Sequence, residues 1–146
     1  TGFNWFRPLS ASPAPVYTAG WPNGITVDAV GAKYDASLNF ATSLGLTGGA
    51  GVLTFTDGKL TTTITKNNFV LSPANVVTKT PASDASFTLT PVQSSGKFSG
   101  KFQHNNQAAL ASYSGILLQK GANKGGFGFF LSAPNNGESG GVTLSD

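Results

Sequence analysis

The sequence predicts an all-β protein, folded as an antiparallel β-barrel or β-sandwich of about ten short strands. Glycine and proline interrupt the chain so often that its longest stretches free of both are 14 residues, 59–72 and 101–114. The first stretch is rich in β-branched threonine and isoleucine, which favour strands over helices. The second contains Asn105-Asn106, a pair typical of turns. Little or no helix is therefore expected.

Alternation of apolar and polar residues places the individual strands. Val52–Thr56 has leucine and phenylalanine on one face and threonine on the other. The Asp57-Gly58 pair that follows is typical of a two-residue type I′ turn, because both positions of that turn need a positive φ. We therefore expect Lys59–Thr65 to return as the paired strand of a hairpin.

The segment Lys97–Gln103 shows the same alternation with larger side chains. Phe98 and Phe102 share one face and lysines occupy the other, which predicts rings in the core and charges in water. Gly100 lies between the two rings and is expected to mark a bend in the sheet. The other predicted strands are Ile25–Val30, Tyr34–Phe40, Asn68–Leu71, Asn75–Lys79, Ala85–Thr90, Leu110–Gln119, Gly126–Ser132 and a short last one at Gly141–Leu144.

Residues 1–24 differ from the rest and predict an extended arm, followed by a single all-β domain at 25–146. The arm contains four of the eight prolines, both tryptophans and the only arginine. Its aromatic side chains need apolar surface to rest on. Either they pack across one end of the barrel, or they dock on a neighbouring subunit or a preceding domain, for example by supplying a strand to a neighbour. These side chains are Phe3, Trp5, Phe6, Tyr17 and Trp21.

Composition excludes several classes of protein. Charged residues make up 10% of the chain, against about 25% in an average domain, which argues against a coiled coil and a charge-rich disordered segment. The net charge is +3 and the cations are dispersed, so no nucleic-acid binding is expected. No apolar run approaches the ~18 residues of a membrane-spanning helix. The chain has no cysteine, which excludes thiol catalysis, zinc-thiolate sites and disulfides.

The inventory of catalytic side chains is short, so we predict no enzyme, no catalytic residue, no metal site and no cofactor. His104 is the only histidine and is expected to be exposed in a turn. No Gly-x-Ser-x-Gly motif of a nucleophilic serine occurs. A hydrolase would have to use Asp28 or Asp35, the only carboxylates on adjacent predicted strands. Turn and surface positions account for the six carboxylates.

Carbohydrate binding is the alternative that the aromatic residues leave open. Sugars stack on exposed aromatic faces, which β-rich modules present on a flat face or at a loop end. Trp5, Trp21 and Tyr34 are the first candidates, and Phe3 and Tyr17 complete the set of candidate binding residues.

Three segments of the C-terminal half each carry a short motif, in order GxFxGxF, YxGxLLQK and GxGxFL. They are Ser94–Phe102, Tyr113–Lys120 and Gly125–Leu131, and a short last strand follows them. Together they resemble the C-terminal β-rich domain of large secreted bacterial surface proteins. The resemblance implies a location and an architecture but no activity. It also suggests one buried aromatic face across three adjacent antiparallel strands, made of Phe98, Phe102, Tyr113, Leu117, Phe127, Phe129 and Leu131.

The sequence therefore predicts a non-catalytic structural or adhesive module of a bacterial surface protein or fibre, outside the cell or on its surface. Low charge, many small polar residues and an aromatic arm suit packing between subunits, so self-assembly through the arm is expected. The expected partners are further copies of the chain, a neighbouring domain or a polysaccharide. A carbohydrate-binding module is the alternative function.

Overall fold

The computed structural model of the chain describes residues 2–9, 20–105, 107–132 and 137–146. The predicted fold class is confirmed, since strands make up 48% of the structure and helix 6%. The helical parts are α1 at Phe40–Leu44 and a 3₁₀ turn at Thr47–Gly49. The strands of the described residues are β1 Phe3–Arg7, β2 Trp21–Val27, β3 Val52–Asp57, β4 Ile64–Lys66, β5 Phe69–Leu71, β6 Val77–Lys79, β7 Thr90–Val92, β8 Lys97–Gln103, β9 Leu110–Leu118, β10 Gly125–Leu131 and β11 Ser139–Ser145.

The largest sheet has seven antiparallel strands in the order β4-β3-β11-β10-β9-β8-β7 and curls into a half-barrel. Strands β7 to β11 follow one another as a meander. β11 then pairs with β3, which sets Val142 opposite Phe55. β11 is thus held beside β3, the first strand of this sheet in chain order, and β10 lies at the centre of the sheet.

The core fills the concave side of this sheet. Phe55 and Phe102 stack face to face at 3.9 Å between ring centroids, and Phe130 meets Phe102 edge-on at 4.8 Å. The hydroxyl of Tyr113 donates to the carbonyl of Thr88 at 2.7 Å, and burial raises the pKa of this tyrosine. Residues of α1, β5 and β6 cover the open side, so a closed barrel is not required.

Glycines make room for two inward rings of the meander, Phe98 and Phe130. A methyl group at Gly115 would overlap the ring of Phe98, and one at Gly126 would lie 3.1 Å from the same ring. The ring of Phe130 lies in the same way against Gly58 and Gly140. In a sheet this curved, a side chain at those positions would displace the rings.

The predicted orientation of β10 is wrong. Phe127, Phe129 and Leu131 were expected in the core but are 40, 54 and 47% exposed, while Phe130 is buried. Apolar residues occupy both faces of this strand, so alternation alone does not select one. The rings of Phe55 and Phe102, together with the space at Gly140, select the face that carries Phe130.

The predicted strand Tyr34–Phe40 is also wrong, because this region ends in α1. The side chain of Asn39 accepts a hydrogen bond from the amide of Thr42 at 2.8 Å, which caps the N-terminus of the helix. Gly45 follows with φ of 80° and donates to the carbonyls of the last turn. A cap at each end thus stabilises a helix of five residues, of which only Phe40 belongs to the predicted strand, and residues 34–39 form no strand.

The hairpin after β3 forms, but its loop is longer than predicted. Its turn is centred on Gly58 and Lys59, with φ of 54° and 60°, one residue later than Asp57-Gly58. β4 begins only at Ile64, which pairs with Phe55. Asn105 accepts from the amide of Thr61 at 3.2 Å, so contacts with the β8–β9 connection hold the extra residues.

The two edges of the seven-stranded sheet are short. β4 has three residues at one edge and β7 has three at the other. β7 includes Pro91, and only Thr90 of the predicted strand Ala85–Thr90 belongs to it. Phe87 joins Phe102 through an isolated bridge instead.

A polar network fastens the loop before β7. The carboxylate of Asp84 accepts hydrogen bonds from the hydroxyl and amide of Ser86 and from the amide group of Asn68. Lys79 donates to the carbonyls of Asp84 and Phe87. These hydrogen bonds hold the pKa of Asp84 well below its usual range, and the bond from the Ser86 hydroxyl has the largest effect, followed by the bond from Asn68.

Replacing Gly115 by alanine should lower the free energy of unfolding by about 1–3 kcal/mol, since the new methyl group overlaps the Phe98 ring. Chemical denaturation measures the loss. Gly141→Ala on β11 is the matched control, because its methyl group would meet only the hydroxyl of Thr56, at 3.1 Å. Equal losses in both variants would contradict the steric role of Gly115.

Stability should fall in acid partly through Asp84. The pKa of Asp84 is lower in the folded chain than in the unfolded chain, where it is about 3.9. Its contribution to the free energy of unfolding is therefore fully present above about pH 3.9 and is lost as the pH drops towards the folded pKa. Asp84→Asn should therefore lose less stability than the unmodified chain between about pH 4 and pH 2. Denaturant titrations across that range test this. The control Ser83→Ala keeps the carboxylate and should retain the steeper loss.

Candidate functional site

The N-terminal arm forms a β-hairpin of its own. β1 pairs with β2, which places Phe3 opposite Val27 and Trp5 opposite Ile25. Directly opposed residues share a face, so these four apolar side chains form one surface. It is called the hairpin face below.

The two tryptophans and the arginine meet at the end of the hairpin face. The ring of Trp21 lies 5.5 Å from that of Trp5 at an angle of 45°. The guanidinium of Arg7 lies 6.0 Å from the centre of the Trp21 ring, within the range of a cation–π interaction. The structure thus brings together two of the predicted binding residues and adds a cation to them.

The rings of the arm are open to solvent. Phe3, Trp5 and Phe6 are 57, 55 and 59% exposed. Among the described residues, none that precedes Tyr34 belongs to the core cluster or packs against it. The first predicted placement, with these rings packed across one end of the barrel, is therefore wrong. Tyr17, the remaining arm candidate, lies outside the described residues.

The hairpin ends beyond the predicted boundary of the arm at residue 24, because β2 continues to Val27. Residues 28–33 follow without strand or helix, and all six are exposed. They form a linker between the hairpin and the sheet. The hairpin face is thus attached to the body of the protein through an extended, solvated segment.

Tyr34 ends this linker and anchors it to the body. Its hydroxyl donates to the carbonyl of Gln93 at 2.6 Å, and its ring lies against Gly96. Burial, more than the neighbouring Asp35, raises its pKa. Tyr34 was predicted as a binding residue beside Trp5 and Trp21, but the structure places it with the β7–β8 turn instead.

A second exposed apolar surface runs along the centre of the sheet. Phe127, Phe129 and Leu131 project from the convex side of β10, and Ile116 lies opposite Phe127 on β9. The residues beside Phe129 are Ser114 and Gly141. These four apolar side chains stand above small neighbours and are called the β10 ridge below.

The ridge borders a groove of about 490 Å³. Phe127, Phe129 and Ile116 form one side, Val92 and Lys97 lie at the other, and Phe98 lines the rest together with serine and glycine. The predictions missed this surface because they assigned its phenylalanines to the core. The sequence did contain a signal for it in the run Phe129-Phe130-Leu131. One face of a strand cannot bury three consecutive side chains, so this run places apolar residues on the second face as well.

Two of the titratable residues, His104 and Asp35, make structural contacts. His104 was predicted in an exposed turn but is 1% exposed, and its Nε2 lies 3.0 Å from the carbonyl oxygen of Gly58. Asp35 accepts from the hydroxyl and amide of Ser37, which lowers its pKa. Asp28 follows β2 and Asp35 precedes α1, so these carboxylates do not lie on adjacent strands.

Neither a cluster of metal ligands nor a membrane-spanning helix occurs in the described ranges. Residues 2–9, 20–105, 107–132 and 137–146 contain no group of three or more histidine, aspartate or glutamate side chains that could hold a metal ion. Within these ranges, no helix is long and apolar enough to cross a membrane. Comparison with protein-family models, with curated proteins and with solved structures finds no match for the chain.

Proposed function

We propose that this chain is a non-catalytic structural or adhesive module of a bacterial surface protein or fibre, acting outside the cell, and that it associates with copies of itself through the N-terminal hairpin. The exposed hairpin face carries the proposal. A lone two-stranded hairpin is marginally stable in water, yet this one displays Phe3 and Trp5 to solvent. A partner surface would stabilise it.

The size of the effect can be estimated from the two rings. An aromatic side chain buries roughly 150–250 Å², so each half-exposed ring leaves about 100 Å² of apolar surface to cover. At about 25 cal/mol per Å², burial of both would contribute roughly 5 kcal/mol. Association itself costs at least about 4 kcal/mol. The two rings are therefore the main determinants of binding, and a stable complex needs further contacts around them.

The surface setting is supported by the sequence. Strands β8, β9 and β10 carry the pattern that resembles the C-terminal domains of secreted bacterial surface proteins. A chain without cysteine does not depend on disulfide formation for its folding. The charged share of 10% leaves a surface of small polar residues, which is compatible with close packing between modules.

Replacing Phe3 and Trp5 together by serine should convert an associating protein into a folded monomer, because both rings leave the hairpin face. Analytical ultracentrifugation over a range of concentrations measures the change. The control Val76→Ser alters an apolar residue of similar exposure near β6 and should associate as before. Unchanged association of the double variant would refute the role of the hairpin.

Carbohydrate binding is the second candidate, and the exposed indole of Trp5 beside Trp21 favours it. Sugar rings stack on such faces. The angle of 45° between the two rings would suit a bent polysaccharide chain better than a flat crystalline surface.

If sugars bind here, a glycan array should give signals that Trp5→Ala abolishes while its melting temperature stays unchanged. The control Phe6→Ala removes a ring of similar exposure from the opposite face of β1. An array without signal for the unmodified chain would eliminate this candidate.

A further inference from the structure

We propose that the partner surface of the hairpin face is the β10 ridge of a second copy, and that two copies exchange hairpins reciprocally in a two-fold dimer. This inference rests on the self-association proposed above. It goes further by assigning a site on the sheet to which the hairpin binds.

The ridge is a contiguous patch on an otherwise polar surface. Towards β11 and β3, the residues in line with Phe127 are Thr143 and Thr54. Towards β9 and β8, the residues in line with Phe129 are Ser114 and Ser99. Single exposed apolar residues are ordinary, whereas grouped ones mark interaction sites. The grouping lies on the central strand, where a partner can contact strands on both sides.

The two surfaces match in size. With Trp21, which lies opposite Arg7, the aromatic surface of the hairpin extends along the five residues Phe3–Arg7, and the ridge also extends over five residues, from Phe127 to Leu131. Each therefore spans about 13 Å at the rise of a β-strand. Because Ser114 and Gly141 flank Phe129, rings from a hairpin can settle on either side of it.

The charges at the ends of the two surfaces are complementary. The hairpin carries Asp28 beside its Phe3 end and Arg7 at the other end. On the sheet, Lys97 lies in the row of Phe127, and Glu138 directly precedes β11 at the Leu131 end. Laying Phe3 towards Phe127 thus brings Asp28 towards Lys97 and carries Arg7 away from Lys97, to the Leu131 end of the ridge.

This orientation also specifies the side on which Arg7 lies. Lys101 lies on β8, two strands from β10 at its Leu131 end, and would repel the arginine. Arg7 is therefore expected on the β11 side of the ridge, away from Lys101. Charge pairs of this kind fix the register of an interface more than its affinity, so the pair Asp28 and Lys97 reports the direction of the hairpin.

The available area favours reciprocal exchange. The ridge offers four apolar side chains that are 40–54% exposed, whereas on the hairpin face Phe3 and Trp5 are about half exposed and Ile25 and Val27 are partly buried. At about 100 Å² for a half-exposed side chain and roughly half of that for a partly buried one, one contact buries about 700 Å². Stable interfaces bury about 1,200–2,000 Å². Two such contacts related by a two-fold axis reach that range, and a two-fold interface closes on itself.

The linker allows the exchange. Residues 28–33 are exposed and lack regular structure, and six extended residues span about 20 Å. Tyr34 holds the end of the linker to the β7–β8 turn, beside the strand that carries Lys97. The hairpin does not pack on the core of its own chain and can therefore reach the sheet of a neighbour.

Cross-linking tests the contact directly, because the chain has no cysteine of its own. One preparation carries Val27→Cys on the hairpin face and the other carries Ser114→Cys beside the ridge, so every aromatic ring is kept. Mixed copies are treated with a bismaleimide of about 10 Å, the spacing of packed sheets. A covalent heterodimer is expected, and Val27→Cys mixed with Val76→Cys, the matched control, should give none.

Each result has a defined meaning. Copies that remain monomeric at all concentrations in ultracentrifugation refute the proposed self-association as well as this inference. Copies that associate without the Val27–Ser114 cross-link, or that cross-link efficiently from Ser114 to Ser114, refute the inference alone. Particles that grow beyond dimers refute reciprocal exchange.

Charge reversal provides a second measurement that does not depend on cross-linking. Asp28→Lys and Lys97→Glu should each raise the dimer dissociation constant by about tenfold or less, and combining them should restore it. Phe129→Ser should raise it by at least about tenfold with an unchanged melting temperature. Additive losses in the charge-reversal pair, or full association of Phe129→Ser, would contradict the proposed register.

Discussion

Contact between aromatic rings and glycine is the constraint on which the rest of this structure depends. The concave side of the half-barrel encloses Phe55, Phe98, Phe102 and Phe130, and two of these rings, Phe98 and Phe130, fit only because neighbouring positions have no side chain. Gly115 and Gly126 accommodate Phe98, while Gly58 and Gly140 accommodate Phe130. The register of β9, β10 and β11 follows, since a shift by one residue would place side chains into the rings.

The same constraint explains which parts of the fold could be predicted from the sequence. β3 and β8 alternate cleanly, so their limits and buried faces follow from local pattern. β10 has apolar residues on both faces, and its orientation depends on Phe55 and Gly140, which are distant in sequence. Pattern within the strand does not contain that information.

Local signals were also overridden by contacts elsewhere. Asp57-Gly58 favours a two-residue turn, but His104 and Asn105 hold the loop in a longer form. The caps of α1 were present in the sequence as Asn39 and Gly45, and they set a short helix where the predicted strand Tyr34–Phe40 ends. For the candidate site, composition identified the aromatic arm, whereas the ridge could be recognised only after the buried face of β10 was known.

The short edges of the sheet have a consequence for crowded conditions. Pro91 has no amide hydrogen to offer a further strand, and β4 at the opposite edge provides only three residues for pairing. Sheet edges are the usual templates for cross-β aggregation. The seven-stranded sheet therefore offers few backbone groups for pairing with a strand of another molecule, so crowding favours contacts through its exposed rings over extension of the sheet.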